Sequence, residues 1–252
     1  MSDKLISQID PRATCLLAPG VLLDANRALW LVPERVLAVA DLHLGYAWTH
    51  RHAGNLLPLS AAADSVARLV ELVERYQPRE LVLLGDVVHR ALPLAALRDE
   101  LRALFTQLRD RVVLRLLSGN HDRRLGQLLR DCGLDPQLLP ELRVGPHLLL
   151  HGDAPNESNA TKQIRQARTR GGFVIIGHEH PAISLSDGVA TRAKVPCFLA
   201  SANLLVLPAF STWAAGTVLR THDFLSAFTR ESKPDRAFAI VARKLLPMPL
   251  AL

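Results

Sequence analysis

Short apolar runs alternate with longer amphipathic segments through the first half of the chain, and this alternation limits the possible folds. Residues 35–41 (RVLAVAD) and 79–86 (RELVLLGD) have the composition of buried strands, and residues 59–76 between them carry apolar side chains at helical spacing. The same order returns with a helical segment over residues 92–110 and a strand that opens residues 111–122. A βαβα order of this kind predicts an α/β fold in which helices cover a sheet.

The second half of the chain is richer in strand-like pieces. HLLLHGD, residues 147–153, and GGFVIIGHEH, residues 171–180, are predicted strands on either side of a polar helical segment over residues 159–170. Short extended pieces dominate after Pro181. Because no repeat, low-complexity stretch or linker separates the two halves, we predict one domain over residues 1–252.

Composition and cysteine usage exclude several classes of protein. The chain has 252 residues, of which 49% are hydrophobic and 21% charged, as in ordinary folded proteins. Its three cysteines are far apart and lack CxxC spacing, which argues against a disulfide framework or a thiolate zinc site. The first ten residues, MSDKLISQID, lack the order of a signal peptide, and no apolar run approaches the roughly 20 residues of a membrane helix. We therefore predict a cytoplasmic protein with no membrane contact.

The formal net charge of +6 suits a polyanionic partner such as nucleic acid, although a coding bias toward arginine gives the same count. Lys162, Arg165 and Arg168 recur every third residue of a predicted helix, a stripe that either binds phosphate or is simply solvated. Charge alone leaves both alternatives open.

Five of the apolar runs end in side chains that bind hard or borderline metal ions. The endings are VADLH, LLGD, LLSGNHD, LLLHGD and IIGHEH. Because sites in open α/β sheets collect outside the carboxyl ends of the strands, we expect these side chains to share one pocket. Carboxylates, imidazoles and an amide without a thiolate suit manganese, iron, zinc or magnesium. The candidate ligands are Asp41, His43, Asp86, Asn120, His151, His178 and His180.

Each ending taken alone also fits a turn or a helix cap. In GHEH, an extended backbone would place His178 and His180 on the same side, but a surface pair of histidines has the same spacing. Five such endings in one chain favour a metal centre over a series of unrelated turns.

The order D-x-H, G-D, G-N-H-D, H and G-H-x-H between Asp41 and His180 resembles the calcineurin-like metallophosphoesterases. More narrowly, ADLHLG, LGDVVHR, GNHD, GHEHPA and RAKVPCFLASANLLVLPAF are similar to the bacterial DNA ligase-associated metallophosphoesterases. The resemblance implies a four-layer α/β/β/α sandwich of two mixed sheets flanked by helices. The narrower one implies a DNA ligase and a helicase as partners in DNA repair.

The resemblance also assigns each candidate ligand to one of two divalent ions. One ion is assigned to Asp41, His43 and His180, the other to Asn120, His151 and His178, and Asp86 bridges both. Two ions roughly 3.5–4 Å apart can hold a hydroxide that attacks phosphorus in line with the leaving group.

His121 and Asp122 are the predicted catalytic residues beside the ligands. The resemblance points His121 at the leaving group, as a general acid or a charge stabiliser. Asp122 either orients that imidazole or caps a helix that starts at Arg123. The sequence favours neither alternative.

Four further side chains are predicted to bind substrate: Arg51, His89, Arg90 and Asp153. Asp153 stands where many relatives carry the second histidine of H-G-H. GDVVHRA departs from the G-D-x-V-D-R-G of protein Ser/Thr phosphatases and disfavours that branch. Arg90 can hold phosphate with two parallel hydrogen bonds, although an arginine after a strand is usually a solvated charge. Arg51 belongs to a predicted loop over residues 46–58 whose side chains suit bases and phosphates.

We therefore predict a dinuclear metal-dependent phosphoesterase of the phosphodiesterase or nuclease type, acting on DNA or a related nucleotide substrate. Manganese is the favoured ion, with iron, zinc or magnesium as alternatives. One alternative function is hydrolysis of small nucleotides or other phosphate esters, and another is a non-catalytic binding scaffold with the same fold. The filled ligand positions disfavour the scaffold. The sequence leaves the oligomeric state open.

Overall fold

Two mixed β-sheets form the centre of the fold. The computed structural model of the chain describes residues 12–58, 60–92, 94–135, 137–153, 156–186, 192–214, 216–218 and 224–250. The first sheet contains, in spatial order, β1 (Thr14–Ala18), β2 (Val21–Asp24), β3 (Ala28–Leu31), β4 (Val36–Val39), β5 (Glu80–Leu84), β6 (Val113–Leu117) and β7 (Leu138–Leu139). Strands β1 to β4 pair antiparallel, whereas β4 to β7 are parallel.

The second sheet is built from the rest of the chain. Its strands are β8 (Glu141–Val144), β9 (His147–Leu150), β10 (Val174–Ile176), β11 (Pro181–Ser186), β12 (Arg192–Ala200), β13 (Leu204–Val206), β14 (Thr217–Val218), β15 (Arg236–Val241) and β16 (Lys244–Pro249). Their main order is β14-β11-β12-β13-β10-β9-β8, and β15 joins β12 to β16. Strands β9, β10 and β13 are parallel neighbours at its centre.

Alternate side chains on each strand enter different layers, because successive residues of a strand face opposite sides of the sheet. On β4, Leu37 and Val39 pack with the helices outside the first sheet, whereas Ala38 packs between the sheets. On β10, Ile175 lies between the sheets and Ile176 faces the helices outside the second sheet. The predicted α/β/β/α sandwich is therefore confirmed.

Helices cover both outer faces. They are α1 (Tyr46–His52), α2 (Ser60–Tyr76), α3 (Ala95–Leu108), α4 (Leu125–Asp131), α5 (Glu157–Thr169) and α6 (Ala227–Glu231). Leu69 of α2, Leu101 of α3 and Leu129 of α4 are fully buried against the first sheet, and Ala167 and Phe228 of α5 and α6 against the second. None of the described helices combines the length and apolarity needed to cross a bilayer.

Two local predictions were wrong. Residues 46–52 are helix α1 rather than part of a loop, because Glu100 of α3 accepts hydrogen bonds from the Gly45 amide at 2.9 Å and from Trp48 Nε1 at 2.8 Å. A contact between residues so distant in sequence leaves no local pattern. The helix after GNHD begins at Leu125 rather than at Arg123, because the preceding residues form a turn in which the Leu125 amide donates to the Asp122 carbonyl.

Candidate metal centre and active site

The candidate site lies where five strands end. Strands β4, β5 and β6 are parallel in the first sheet, and β9 and β10 are parallel in the second. The two sheets meet at this edge, where Ala40 pairs with Ala209 and the Phe210 amide donates to the Ala40 carbonyl at 2.7 Å. The structure brings together all the predicted ligands, which follow these strands: Asp41, His43, Asp86, Asn120, His151, His178 and His180.

Two groups of acidic and histidine side chains overlap at Asp86. In each group the potential ligand atoms lie within 4.8 Å of one another. One group contains Asp41, His43, Asp86 and His180, and the other contains Asp86, His151 and His178. Asp86 is therefore the residue that these two groups of potential ligands share.

The first group contains a buried carboxylate oxygen that a divalent cation would satisfy. Nε2 of His43 lies 3.1 Å from Nε2 of His180, which is itself 3.3 Å from Oδ1 of Asp41. This carboxylate oxygen is fully buried and has no hydrogen-bond partner among the residues that the structure describes. Leaving a buried carboxylate oxygen unpaired is costly. The convergence of two imidazole nitrogens and this oxygen fits a divalent ion.

The second group is oriented by the backbone. His151 Nδ1 donates to the Leu84 carbonyl at 2.8 Å, so Nε2 is the ring nitrogen that is directed at the other ligands. Nε2 faces Oδ1 of Asn120 at 3.1 Å and Oδ2 of Asp86 at 3.4 Å. A hydrogen bond from the far ring nitrogen commonly fixes the orientation of a metal-binding histidine. The mixture of imidazole, carboxylate and amide fits manganese, iron, zinc or magnesium.

Most of the candidate ligands have a left-handed backbone conformation. The residues with φ between 44° and 65° include Asp41, His43, Asp86, His178 and His180. The interpretation of GHEH as an extended segment was wrong, since both of its histidines have positive φ. Left-handed backbone costs a non-glycine residue roughly 1–2 kcal/mol and is concentrated at functional sites.

The glycines of GNHD and GHEH allow the ligand segments to approach closely. A Cβ on Gly119 would lie 2.2 Å from Oδ1 and 2.5 Å from the amide nitrogen of Asp86. A Cβ on Gly177 would lie 2.7 Å from Oδ2 of Asp41. Both glycines are therefore required by the space around the carboxylates.

Burial and charge together set the ionisation of the site. Burial opposes the charge of Asp41, but His180, His151 and His43 hold the pKa of this carboxyl below its ordinary value. Burial likewise opposes ionisation of Asp86, and the hydrogen bond and charge of His151 hold its pKa well below the usual range. Burial lowers the pKa of His43 to about 4, so this ring is neutral at pH 7. Both carboxylates and His43 thus have the protonation state that a metal ligand needs.

The segment that carries these ligands also shows the family of the chain. A sequence model of the calcineurin-like phosphoesterases matches residues 34–182, which contain every candidate ligand. The chain belongs to the calcineurin-like phosphoesterases. It is thus a metal-dependent phosphoesterase, and all of its candidate metal ligands lie within the segment that the family model covers.

One solved structure supports the fold over nearly the whole phosphoesterase. The crystal structure of Pseudomonas putida nuclease MPE is 23% identical in sequence, with a TM-score of 0.65, and the match covers 90% of this chain and 94% of that one. At this identity the likeness shows the shared fold. None of the curated proteins compared with the chain matched it.

His121 of the phosphoesterase lies beside the shared carboxylate. Its amide donates to Oδ1 of Asp86 at 2.9 Å, and its ring Nε2 lies 3.9 Å from Oδ2. Nδ1 donates to the His89 carbonyl at 2.6 Å, and the two rings stack with centroids 5.4 Å apart. The His121 side chain is 35% exposed, so the ring is partly accessible from outside the site. His43, His89 and His121 form a third group with nitrogens within 4.8 Å.

Asp122 makes neither of the two predicted contacts. Its carboxylate accepts hydrogen bonds from the amides of Gly119 at 3.1 Å, Val88 at 3.2 Å and Val87 at 3.3 Å. None of the hydrogen bonds described for this carboxylate goes to His121, and α4 has no side-chain cap. Burial and the charge of Asp86 raise the pKa of Asp122 to about 6. Asp122 is therefore placed to position the GNHD and GDVV turns relative to each other.

The predicted substrate-binding residues lie at different distances from the ligands. His89 touches His43 and His121, and Arg90 follows it at an exposed position. Asp153 is exposed and lies near His178: burial lowers the pKa of His178, and the charge of Asp153 opposes this shift. Arg51 lies over the Trp48 ring at 6.0 Å and donates to the Leu57 carbonyl, and these described contacts do not join it to the ligand groups.

Glu179 has a structural role that the sequence did not indicate. It lies between the two histidines of GHEH but is only 1% exposed. Its carboxylate accepts hydrogen bonds from the amides of Ser226 at 2.7 Å and Leu225 at 3.2 Å, and from the Thr229 hydroxyl. Ser226 also donates through Oγ to the Gly152 carbonyl at 2.6 Å. The segment around α6 thus connects the HGD and GHEH turns.

Two half-buried arginines support the same edge of the sheets. Arg27 donates to the carbonyls of Ala209 at 3.0 Å and Ser211 at 2.6 Å. Arg68 donates to the Phe210 carbonyl and lies 4.0 Å from the centroid of the Phe210 ring. These contacts fix the segment that pairs with Ala40, directly before the first ligand. Their partners are more than 140 residues away, so no local pattern indicated them.

Proposed function

We propose that the chain is a dinuclear phosphodiesterase of the nuclease type. The observation that carries this proposal is the membership of Asp86 in both ligand groups, each with ligand atoms within 4.8 Å. Asp41, His43 and His180 complete one site; Asn120, His151 and His178 complete the other. Two divalent ions, preferably manganese, would supply positive charge next to a phosphate and acidify water toward neutral pH when bound.

The residues around Asp86 orient the reacting groups. The Leu84 carbonyl holds the His151 ring, and the His121 amide holds Oδ1 of Asp86. His121 also donates through Nδ1 to the His89 carbonyl, which directs Nε2 away from that bond; Nε2 lies 3.9 Å from Oδ2 of Asp86, and His121 lines an open cleft. We assign Nε2 to the leaving oxygen, to which it donates a proton as the ester bond breaks. Asp122 is a positioning residue in this scheme.

The substrate is proposed to be DNA or a related nucleotide. The structural neighbour is a nuclease, and the net charge of +6 is compatible with a polyanionic substrate. Arg90, His89 and Asp153 are proposed to contact the substrate near the metal ligands. A role in DNA repair beside a ligase and a helicase, and a cytoplasmic location, remain predictions from resemblance and sequence.

Metal analysis combined with Asp86→Asn tests the proposal. Wild-type protein loaded with manganese should hold two ions per chain and hydrolyse an aryl phosphodiester. The variant has nearly the same volume but a weaker shared ligand, so it should hold at most one ion and lose at least about 100-fold in activity. Asp99→Asn is the matched control, because Asp99 is exposed on α3 and, among the described residues, forms an ion pair with Arg102 alone.

Circular dichroism would verify that both variants fold. Two ions and full activity in folded Asp86→Asn protein would contradict the shared-ligand assignment. Failure of wild-type protein to bind any divalent ion after manganese addition would contradict the dinuclear proposal as a whole.

A further inference from the structure

An open cleft beside His121 is lined on one side by the candidate site and on the other by arginines. It has a volume of ≈ 470 Å³. Asn120, His121 and His89 form the wall nearest the ligands, and Arg90, Arg123 and Arg124 form the remainder of its polar lining. Of the described residues that line it, none is acidic. We refer to it as the arginine cleft.

The arginines of this cleft lack counterions. Arg90, Arg123 and Arg124 are exposed, and within the described part of the chain no acidic side chain pairs with any of them. Arginines on the surface nearby behave differently, since Arg102 pairs with Asp99 and Arg115 with Glu80. Like charges that share a cleft repel one another, and a bound polyanion would relieve this repulsion.

The cleft is held in place by the same hydrogen bonds as His121. Arg90 follows His89, whose carbonyl accepts from the His121 ring. Arg123 follows Asp122, whose buried carboxylate binds three backbone amides. The guanidinium groups are therefore carried by rigid turns immediately beside the group that we assign to the leaving oxygen.

We propose that the arginine cleft binds the phosphodiester backbone of a polynucleotide next to the scissile phosphate, on the side from which the leaving oxygen departs. This inference rests on the proposed function, because it takes the ester bond to be broken beside His121. Guanidinium groups bind phosphate oxygens through two parallel hydrogen bonds, which positions the strand without reading its sequence. The cleft thus favours a polymeric substrate over a small phosphate ester.

Binding of a nuclease-resistant oligonucleotide tests the cleft. The probe is a fluorescent single-stranded 12-mer with a phosphorothioate backbone, titrated with manganese-loaded protein at several salt concentrations. Arg123→Gln/Arg124→Gln should raise Kd at least about tenfold and reduce the slope of log K against log salt by about 1.4, since each phosphate contact contributes about 0.7 on single strands.

Arg165→Gln/Arg168→Gln is the control, because it removes the same charge from exposed positions in the second half of α5. That helix leads away from the carboxyl end of β9, so the control should leave Kd within twofold. Equal losses in both double variants, or no loss in either, would overturn the inference. Equal competition by polyglutamate of the same charge would overturn the preference for a phosphodiester backbone.

Cleavage measured in parallel separates this inference from the proposed function. If wild-type protein hydrolyses an aryl diester but not an oligodeoxynucleotide, the nuclease function fails whether or not the cleft binds the probe. If wild-type protein cleaves the oligonucleotide and Arg123→Gln/Arg124→Gln cleaves it equally well, the nuclease function stands and the role of the cleft is refuted. Support requires that the variant lose at least tenfold more kcat/KM on the oligonucleotide than on the aryl diester.

Discussion

Gly119→Ala is the smallest change expected to disable the candidate site. The added Cβ would lie 2.2 Å from Oδ1 of Asp86, whereas real Cβ contacts are essentially never shorter than 3.0 Å. The carboxylate must therefore move by at least about 0.8 Å, and the Asp86 amide at 2.5 Å prevents a simple side-chain rotation from solving the clash. A misplacement of about 1 Å in an active site can reduce the rate by about 100-fold.

The assay is kcat/KM on an aryl phosphodiester at saturating manganese, together with ion content and melting temperature. Gly126→Ala is the matched control seven positions along the chain, where the nearest atoms to a new Cβ are at 3.6 and 3.7 Å. Because Gly126 lies inside α4, alanine there should stabilise the fold by about 0.5–1 kcal/mol and leave activity unchanged. Gly119→Ala protein that keeps two ions and more than a third of wild-type activity would refute the argument from Asp86 geometry.

Four further predictions concern residues in the candidate site and elsewhere in the fold. His121→Ala should slow alkyl phosphodiesters at least about tenfold more than aryl ones, because aryl oxides leave without a proton; equal losses in kcat/KM would reject a general acid. Glu179→Gln should cost about 1–3 kcal/mol in urea unfolding, since a buried carboxylate that accepts two amides becomes neutral. Burial lowers the pKa of His147 below its ordinary value of about 6.5, so at a pH between the two pKa values the unfolded chain binds up to one more proton than the folded chain. The free energy of unfolding should therefore decrease as the pH falls below about 6.5. His147→Asn should reduce the slope of the free energy of unfolding against pH by up to about 1.4 kcal/mol per pH unit. Ala242→Asn/Arg243→Gly should raise stability by about 1 kcal/mol in the same assay, because both turn residues have positive φ, and an unchanged unfolding midpoint would contradict this.

Most of the parallel core could be predicted from the sequence. Strands β4, β5 and β6 are short, apolar and separated by amphipathic segments, so composition and periodicity indicate them together. Residues 14–31 were not predicted as three strands. Their strands are four or five residues long, and antiparallel pairing across short turns stabilises them more than any local pattern does.

The composition of the metal site could also be predicted, because its candidate ligands follow the ends of predicted strands. The supporting contacts could not. Asp122 binds amides 34 and 35 residues earlier in the chain, and Glu179 binds amides 46 and 47 residues later. Sequence spacing describes what one segment can form by itself, whereas these carboxylates are fixed by how separate segments meet.

The ligand loop GHEH has the predicted side chains in the metal centre although its predicted backbone conformation was wrong. Alternation along an extended segment would turn His178 and His180 to one side and Glu179 to the other, and the structure has this division of side chains. The backbone nevertheless has φ of 65° and 44° at the two histidines, which an extended segment excludes. The His178 amide donates to Oδ2 of Asp41 at 3.1 Å, and Glu179 is held by the segment before α6. These long-range bonds offset the local strain, so the conformation of the ligand loop depends on Asp41 as well as on the segment around α6. Weakening the Glu179 contacts should therefore disturb the metal site as well as the fold.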